Sequence, residues 1–369
     1  MLAPRTRVVY VLPSYDAATG SHFPHLYDLI TRAAASLDIL VIAERSHGVP
    51  AGAPFRFRPQ RFAFPPLRFL ELILLLLRER LSGARFVYVH YSLFGGAAGW
   101  LVMSLTGGLA YYWNCGMPWR YARSWFAERV FRFALRHTIL VTGTAGVAAA
   151  YRRQYGLSAD RVRILPNGIT VERFRARDAR TSLRAALDIP ADAGVLLFVH
   201  HLSRRKGAHH IPEIAASVAG RNSRAMVVVV GAGPEQAGLA SSIQYSALRD
   251  RVRLLGEVPN ERIADYFHAA DVFIMPSEEE GFPHVLLEAM AAGLPYVATD
   301  VGGVREITPR ELLPFVVAPD DIPAFGAAAV RLLGMSPGER AALAGAMRET
   351  VRRYDTAAVL PAFLRLFTP

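Results

Sequence analysis

The sequence predicts an α/β protein with two doubly wound domains, and three of its properties carry that prediction. The chain has 369 residues, which is more than one hydrophobic core ordinarily supports. Its composition, with 52% apolar and 20% charged residues, is that of a globular protein. Short apolar runs alternate with helical stretches along the whole chain, and such runs suit strands that are buried on both faces of a parallel sheet.

Twelve apolar runs predict the strands of the two sheets. They are residues 7–13, 38–43, 85–90, 109–115, 138–142 and 162–166 in the first half, and 195–201, 225–230, 252–257, 272–276, 296–299 and 315–318 in the second. A Pro-Asn-Gly turn at 166–168, followed by a charged stretch, separates the two series. We therefore expect domains at 1–168 and 169–350, with a C-terminal helix at 351–369 packing back toward the first domain.

The first half of the chain carries the net positive charge. Residues 1–165 hold 20 arginines against 8 acidic residues, a balance of +12, whereas the remainder has a balance of −1. Residues 118–137 mix arginines with aromatic side chains, a pattern that suits an anionic membrane surface or an acidic acceptor. The alternative is an ordinary amphipathic helix with a solvated basic face. No nucleic-acid motif accompanies the charge, so we expect no nucleic-acid partner.

The cysteine content and the apolar segments indicate where the protein works. The single Cys115 excludes an intramolecular disulfide and fits a reducing compartment. The leucine-rich run at 67–81 is flanked by charges and is too short to span a bilayer, so we expect a core helix there. The first seven residues do not resemble a signal peptide. We expect a cytoplasmic protein, peripheral on the inner face of the cytoplasmic membrane if the basic aromatic segment binds lipid.

Lys206 is the only lysine in the chain. It follows the apolar run 195–199, in a segment that reads as strand, turn and helix start, where anions commonly bind. This position favours a phosphate-binding role, and the alternative is a lysine codon that survived by chance. Four histidines surround it in the sequence: His200, His201, His209 and His210. No nearby carboxylate or cysteine completes a ligand set, so we expect no metal site.

Two later loops also follow predicted strands. Gly231 opens a Gly-Ala-Gly-Pro turn, which suits either close approach of the backbone to a ligand or a plain tight turn. Residues 276–283 lead into a helix that should end at Gly293, and Glu280 lies just before this helix. Glu288 lies inside the helix among apolar residues, so its carboxylate needs a partner, either a ribose diol or an arginine.

The segment 276–303 makes a wider pattern. Its Glu-Gly-Phe triplet, a second glutamate eight residues after the first, and the later Ala-Thr-Asp and Gly-Gly resemble the retaining glycosyltransferases of family 4. Residues 164–169, 198–207 and 255–259 are similar to further motifs of that family, and the resemblance is clear from about residue 138 to about residue 306. It implies the GT-B fold, in which two Rossmann-like domains face each other across a cleft.

The resemblance implies a role for each matching position. Lys206 would contact the donor diphosphate, Glu280 would hold hydroxyls of the donor sugar, and Glu288 would bind the ribose. The other implied donor-binding residues are His201, Arg205, Gly231, Gly256, Glu257, Val258, Gly281, Phe282, Pro283, His284 and Val285. Lys206 and the free N–H groups at the helix start would stabilise the negative charge that builds on the leaving diphosphate.

Two departures from the family pattern bear on catalysis. His201 stands where the family usually has an arginine, five positions before the lysine. Asn114 follows the strand at 109–113, where the family often places a histidine near the reacting sugar. His90, at the end of another strand, is a second candidate catalytic residue, although it could equally be structural. Gly20, in the loop after the first strand, suits close approach to acceptor or diphosphate or a plain flexible loop.

These observations predict a retaining glycosyltransferase that moves a sugar from a UDP- or GDP-sugar to a glycan, glycolipid or lipid-linked acceptor in cell-surface polysaccharide or glycoconjugate synthesis. No cofactor or metal is expected, and Asp320-Asp321 is expected to cap a helix rather than bind a metal. No pair of carboxylates suggests an enzyme nucleophile. The alternatives are a sugar-nucleotide epimerase, a phosphorylase, and a catalytically silent nucleotide- or carbohydrate-binding protein.

Overall fold

The computed structural model describes residues 5–16, 24–175 and 179–368. These residues divide into two units: the first runs up to Gly168 and resumes at Thr356, and the second extends from Ile169 to Asp355. The predicted boundary after residue 350 is wrong, because it cuts a helix that ends at Arg352. The unit containing the chain's first strand therefore also contains its last helix.

Seven parallel strands form the main sheet among the described residues of the first unit. The described residues of this unit form nine strands in all: β1 (Thr6–Leu12), β2 (Tyr15–Asp16), β3 (Leu37–Ala43), β4 (Ser46–His47), β5 (Arg56–Pro59), β6 (Phe86–His90), β7 (Leu109–Trp113), β8 (Ile139–Thr142) and β9 (Val162–Ile164). The helices are α1 (Pro24–Ala33), α2 (Pro65–Leu81), α3 (Leu93–Thr106), α4 (Trp125–His137) and α5 (Ala145–Tyr155). The sheet order is β5-β3-β1-β6-β7-β8-β9, and β2 pairs with β4 apart from it.

Six parallel strands form the sheet within the described part of the second unit. They are β10 (Val195–Val199), β11 (Met226–Val230), β12 (Val252–Leu254), β13 (Val272–Met275), β14 (Tyr296–Thr299) and β15 (Val316–Val317). The helices are α6 (Arg180–Ala186), α7 (Ile211–Ala219), α8 (Gln236–Gln244), α9 (Ile263–Ala269), α10 (His284–Ala292), α11 (Val304–Ile307), α12 (Ile322–Leu333) and α13 (Pro337–Arg352). The sheet order is β12-β11-β10-β13-β14-β15.

Strand burial explains why the apolar runs predicted the sheets. Val9, Val11 and Val87 are fully buried, as expected for strands covered on both faces. All twelve predicted strands occur, and the predicted class of two doubly wound α/β units is confirmed. The edge strand β5 was not predicted, because its sequence Arg-Phe-Arg-Pro contains no apolar run. Charges and proline are typical of an edge strand.

Helix caps in the first unit agree with local sequence signals. The Ser92 hydroxyl accepts a hydrogen bond from the Gly95 N–H at 2.9 Å and begins α3, which ends at Gly107 in the left-handed conformation (φ 77°). Ser124 and Thr144 cap α4 and α5 in the same way as Ser92. These short polar caps fix where each helix starts after a strand.

Helix α2 is a core helix on one face only. Leu72, Leu75 and Leu76 are buried against the sheet, whereas Leu70 and Leu74 are more than half exposed. The prediction of a core helix therefore holds for three of its eight leucines. Among the described residues, none of the helices combines the length and apolar character needed to cross a bilayer.

The last helix, α14 (Thr356–Arg365), completes the core of the first unit. The rings of Phe363 and Tyr88 lie 5.5 Å apart between centroids, and the Phe367 ring lies 5.6 Å from that of Phe86. The Tyr111 hydroxyl donates a hydrogen bond to the Leu366 carbonyl at 2.6 Å. Aromatic side chains from α14 and from the residues just after it thus cover strands at the centre of the first sheet.

Strand order identifies the ligand crevice of each unit. In the second unit, β10 has β11 on one side and β13 on the other, so the connections from β10 and β13 diverge at this point. In the first unit the same reversal falls between β1 and β6. Ligands of open α/β sheets bind beyond the carboxyl ends of strands at such points.

Candidate active site

The loops after β10 and β13 bring Lys206 and Glu280 together. Lys206 Nζ donates a hydrogen bond to Glu280 Oε1 at 2.7 Å, and the two residues are only 7% and 4% exposed. Seventy-four positions separate them in the sequence. The sequence predicted both as site residues, and the structure shows that they form one buried ion pair at the switch point of the second sheet.

The loops are held together by close backbone packing. Gly207 has φ 72°, and a Cβ built there would lie 1.9 Å from the Pro276 carbonyl oxygen. The Glu278 N–H donates a hydrogen bond to the Arg205 carbonyl at 3.0 Å. Only glycine fits this approach and this backbone conformation. The position of Lys206 is therefore fixed by the neighbouring strand's loop.

Glu280 is held as a carboxylate. Burial opposes its ionisation, but the Lys206 ammonium and a hydrogen bond from His200 outweigh burial and keep the pKa of Glu280 well below its ordinary value. The Ser277 hydroxyl also donates to Oε1, at 2.9 Å. All these contacts converge on Oε1, which leaves Oε2 to accept hydrogen bonds from a ligand.

His200 is neutral at this site. Burial and the adjacent Lys206 charge lower its pKa, although Glu280 opposes the shift. Its Nδ1 accepts a hydrogen bond from the His201 N–H at 2.9 Å, so the ring proton lies on Nε2, 3.4 Å from Glu280 Oε1. His200 was not predicted as a site residue, and its place directly after β10 was the available signal.

Acid should weaken the fold through Glu280. Its pKa is lowered on folding, so the stability it contributes is complete above its unfolded pKa of about 4.3 and is lost as pH falls toward the folded value. We expect the difference in free energy of unfolding between wild type and Glu280→Gln to shrink between about pH 6 and about pH 3. Urea unfolding of both proteins at several pH values measures it, and a constant difference would contradict the assignment.

The segment after Glu280 leads directly into α10. Phe282 is buried, and its ring lies 5.8 Å from that of Tyr354. Pro283 occupies the N-cap, and within the described residues no side chain caps this helix. The N–H groups of His284 and Val285 are therefore oriented as helix starts present them to anions. In the predicted donor-binding stretch, Phe282 therefore packs in the interior, whereas His284 and Val285 present helix N–H groups.

Glu288 has a partner that the sequence did not suggest. It lies one turn after His284, and His284 Nδ1 is 3.3 Å from Glu288 Oε1. Of the two partners that the sequence left open, a ribose diol and an arginine, the ion pair in the structure is to neither but to His284. About one-fifth of each side chain is exposed, so part of the carboxylate remains accessible for the predicted ribose contact.

Gly231 serves backbone packing. It has φ 131°, and a Cβ there would lie 1.9 Å from the His200 carbonyl oxygen. Its N–H donates to the Gly256 carbonyl at 2.7 Å. These contacts favour the tight-turn interpretation of its glycine motif over direct approach to a ligand.

Two groups of predicted donor residues lie at the surface of this sheet edge. Gly256 has φ 71°, and a Cβ built there would meet nothing within 4 Å; Glu257 is exposed, and Val258 is half-buried. His201 and Arg205 are also exposed, each close in sequence to Lys206. All five follow β10 or β12, so the structure gathers them at the carboxyl edge that holds Lys206 and Glu280.

The histidines after Lys206 do have a carboxylate neighbour. His209 Nε2 lies 3.3 Å from Glu278 Oε1, and His210 Nε2 lies 3.6 Å from Asp320 Oδ1. His209, His210 and Glu278 offer three ligand atoms within 4.8 Å of one another, an arrangement that could hold a metal ion. The sequence-based prediction that no nearby carboxylate completes a ligand set is therefore wrong. Asp321 caps α12 as predicted, by accepting from the Ala324 N–H at 3.0 Å.

His90 is enclosed in the first unit. It is 1% exposed, and burial lowers its pKa to about 3. Its ring stacks on Trp113 at 4.1 Å between centroids, and Nδ1 lies 3.2 Å from the Tyr10 hydroxyl oxygen. A neutral, stacked, fully covered imidazole favours the structural interpretation over proton exchange with substrate.

Asn114 is also engaged locally. Its Oδ1 accepts a hydrogen bond from the Gly116 N–H at 3.0 Å, and its own N–H donates to the Val141 carbonyl. It is buried at the end of β7. This contact is an Asx-turn, in which the asparagine side chain accepts from the backbone two residues later and fixes the loop conformation. Gly20 lies outside the described residues.

The switch point of the first unit carries residues that the sequence did not single out. The Ser92 hydroxyl donates a hydrogen bond to the Glu44 carboxylate, and burial raises the pKa of Glu44. Tyr91 between β6 and α3 has φ 56°, a strained backbone conformation for a bulky residue. Glu44, Tyr91 and Ser92 follow β3 and β6, and that placement was the signal that could have found them.

The chain matches two known protein families. Residues 179–349 match the family described as "Glycosyl transferases group 1", and residues 24–173 match "Glycosyltransferase Family 4". The two matches together span most of the chain. The chain belongs to the family 4-like glycosyltransferases with the GT-B fold, and the family resemblance predicted from the sequence is confirmed.

Individual proteins show the same relationship. D-inositol 3-phosphate glycosyltransferase of Streptomyces scabiei is 37% identical over 175 residues, covering 45% of this chain and 39% of that protein. The chain spans about half the length of the curated relatives it matches. Two solved structures share the fold. The complex of Anabaena Alr3699/HepE with UDP has a TM-score of 0.80 at 17% identity, covering 98% of this chain and 99% of that chain. WaaG, a glycosyltransferase involved in lipopolysaccharide biosynthesis, has a TM-score of 0.74 at 21% identity, covering 98% and 99%.

Proposed function

We propose that the chain transfers a sugar from a UDP- or GDP-sugar to a hydroxyl of a glycan, glycolipid or lipid-linked acceptor, in the synthesis of cell-surface polysaccharide or glycoconjugate. The observation that carries this proposal is the buried Lys206–Glu280 pair beside the start of α10. Support comes from the family and from two proteins of the same fold, one solved with UDP and one named for lipopolysaccharide biosynthesis.

The site would divide the donor among its residues by charge. Lys206 and the N–H groups at the start of α10 offer positive potential to the diphosphate. Glu280 Oε2 accepts hydrogen bonds from sugar hydroxyls, and Glu288 accepts from the ribose. Residues 256–258 follow β12 at the same sheet edge and would pack on the nucleobase.

The reaction would retain anomeric configuration. The bond between the anomeric carbon and the phosphate oxygen breaks as the acceptor oxygen bonds to the same face of that carbon. The acceptor proton passes to the leaving phosphate oxygen. Glu280 serves poorly as a base here, because its lowered pKa and its hydrogen bonds hold it as a stable carboxylate. Nuclear magnetic resonance of the product identifies the anomer, and a trapped glycosyl-enzyme adduct would refute this route.

The first experiment is a binding screen. Thermal shift and calorimetry with UDP, GDP, ADP, TDP and their sugars identify the donor class, because a ligand that binds the folded state raises its apparent stability. Binding by none of these nucleotides would refute the proposal. Turnover of a bound donor without acceptor would identify an epimerase, and binding without turnover against glycan, lipid-linked and inositol phosphate acceptors would identify a silent binding protein.

Metal removal should leave transfer unchanged. The positive charge near the diphosphate comes from Lys206 and α10, so no divalent cation is required at the reacting atoms. We expect initial rates to be equal before and after dialysis against EDTA. A loss of rate that added Zn²⁺ or Mg²⁺ restores would contradict this. His209→Ala then tests whether the ion acts through the histidines and Glu278.

A further inference from the structure

Two helices of the first unit expose large apolar side chains around one groove. The groove has a volume of about 750 Å³ and lies among α2, α3 and α4. Its walls are formed mainly by rings and prolines: Pro65, Phe69, Phe94, Trp125, Phe126 and Phe133. Soluble proteins rarely leave contiguous apolar surface of this kind uncovered unless it binds something.

Helix α2, which lines this groove, also carries exposed leucines. Leu67, Leu70 and Leu74 are 45%, 52% and 59% exposed, and their spacing of three and four residues places them on one side of the helix. The opposite side of α2 supplies the buried leucines of the core. This second apolar stripe leaves about half of each leucine side chain exposed to solvent.

The exposed aromatic residues of α4 have the chemistry of an interface between water and lipid. Trp125 is 73% exposed and Phe126 is 58% exposed, at the first turn of the helix. The Arg129 guanidinium lies 5.0 Å from the centroid of the Trp125 ring. Tryptophan, with an apolar body and a polar edge, is enriched at the level of lipid head groups, and a neighbouring arginine suits anionic head groups.

The charge around this surface is positive. Arg120, Arg129, Arg132 and Arg136 are exposed on α4 or just before it. Glu128 of α4 forms ion pairs with Arg132 at 2.8 Å and with Arg123 at 3.6 Å. On the α2 side, the Glu71 carboxylate accepts the Arg61 backbone N–H at 2.9 Å. The acidic groups here are thus engaged locally, and the exposed Arg129 and Arg136 add positive charge beyond that of Arg132, which pairs with Glu128.

We propose that the face formed by α2 and α4 docks on an anionic phospholipid bilayer. The leucine stripe and the α4 aromatics would enter the boundary between head groups and acyl chains, while the arginines contact anionic head groups. A second copy of the chain is disfavoured as the occupant, because pairing the same face would bring two arginine-rich helices together. The proposal deepens the lipid-linked part of the proposed function, and it rests on the first unit alone.

Vesicle flotation with the full chain tests the proposal. We expect wild type to float with vesicles of phosphatidylcholine containing about 30 mol% phosphatidylglycerol and to remain unbound with pure phosphatidylcholine. Trp125→Ala combined with Leu70→Ser should lower the bound fraction about tenfold, since each removes exposed apolar area. About 0.5 M NaCl should also weaken binding, because it screens the arginines.

Tyr245→Ala is the matched control. Tyr245 is 84% exposed but lies in the second unit, so its loss should leave flotation unchanged. The substituted residues are exposed, and circular dichroism checks that each variant is folded. The proposal is overturned by absence of wild-type binding, by equal binding of the double variant, or by a concentration-dependent dimer that the double variant abolishes. Nucleotide binding is measured in parallel, so failure of this proposal is separable from failure of the transferase proposal.

Discussion

Lys206→Ala is expected to abolish tight binding of the nucleotide sugar and to lower kcat by roughly 10²–10³-fold, the range for removing a charge-stabilising donor from an active site. Lys206 is the cation bonded to Glu280, and the two side chains are buried together. Removing it also leaves a buried carboxylate without its ion-pair partner, which costs about 3–5 kcal/mol of folding stability. Isothermal calorimetry and initial rates measure the first effect, and urea unfolding measures the second.

A double variant separates the two effects. Lys206→Met with Glu280→Gln removes both charges, so we expect most of the lost stability to return while nucleotide binding stays absent. Arg204→Ala is the matched control, because Arg204 is an exposed cation two positions away in the same loop. If Lys206→Ala binds the donor as wild type does, Lys206 has no role at the diphosphate.

Gly207→Ala is expected to be far more damaging than Gly256→Ala. The two glycines have nearly the same backbone conformation, φ 72° and φ 71°. A Cβ at Gly207 would lie 1.9 Å from the Pro276 carbonyl oxygen, whereas a Cβ at Gly256 meets nothing within 4 Å. Both variants bear the strain of a left-handed alanine, about 1–2 kcal/mol. Only Gly207→Ala also pushes the Lys206 loop away from the Glu280 loop.

Thermal unfolding and donor affinity of both variants measure this difference. We expect Gly256→Ala to lower the Tm by a few degrees and Gly207→Ala to lower it at least twice as much, with loss of nucleotide binding. Equal effects would mean that the contact between the two loops is not what positions Lys206. Because the backbone strain is matched, the difference in Tm between the two variants isolates the contact.

Much of the fold could be predicted because strands buried on both faces are continuous apolar runs in the sequence. The buried runs that form β10 and β11 contain little but valine, leucine and phenylalanine. Two features could not be foreseen. A helix such as α2 can carry leucine on both sides, and composition alone does not say which side faces solvent. The membership of α14 in the first unit depends on contacts across more than 250 residues, such as that of Tyr111 with Leu366.

The sequence predicted which loops form the candidate site, but it did not predict which side chains contact one another there. Strand ends pointed to Lys206 and Glu280, because ligands gather at the carboxyl edge of a parallel sheet. Their mutual ion pair depends on strand order, which places β13 beside β10 and which the sequence does not state. The structural interpretation of His90 likewise depends on its burial, which only the folded structure shows. Glu278 reaches His209 only through the packing of these loops.

The interruption of the first unit has a consequence for the order in which the protein is made. Tyr10 and Tyr88 emerge from the ribosome early, but the rings of Phe363 and Phe367 that cover them are synthesised after the entire second unit. During synthesis, the aromatic side chains on this face of the first sheet therefore remain uncovered while the second unit is made. The step that closes this surface is the arrival of α14, so completion of the first unit depends on translation through the second.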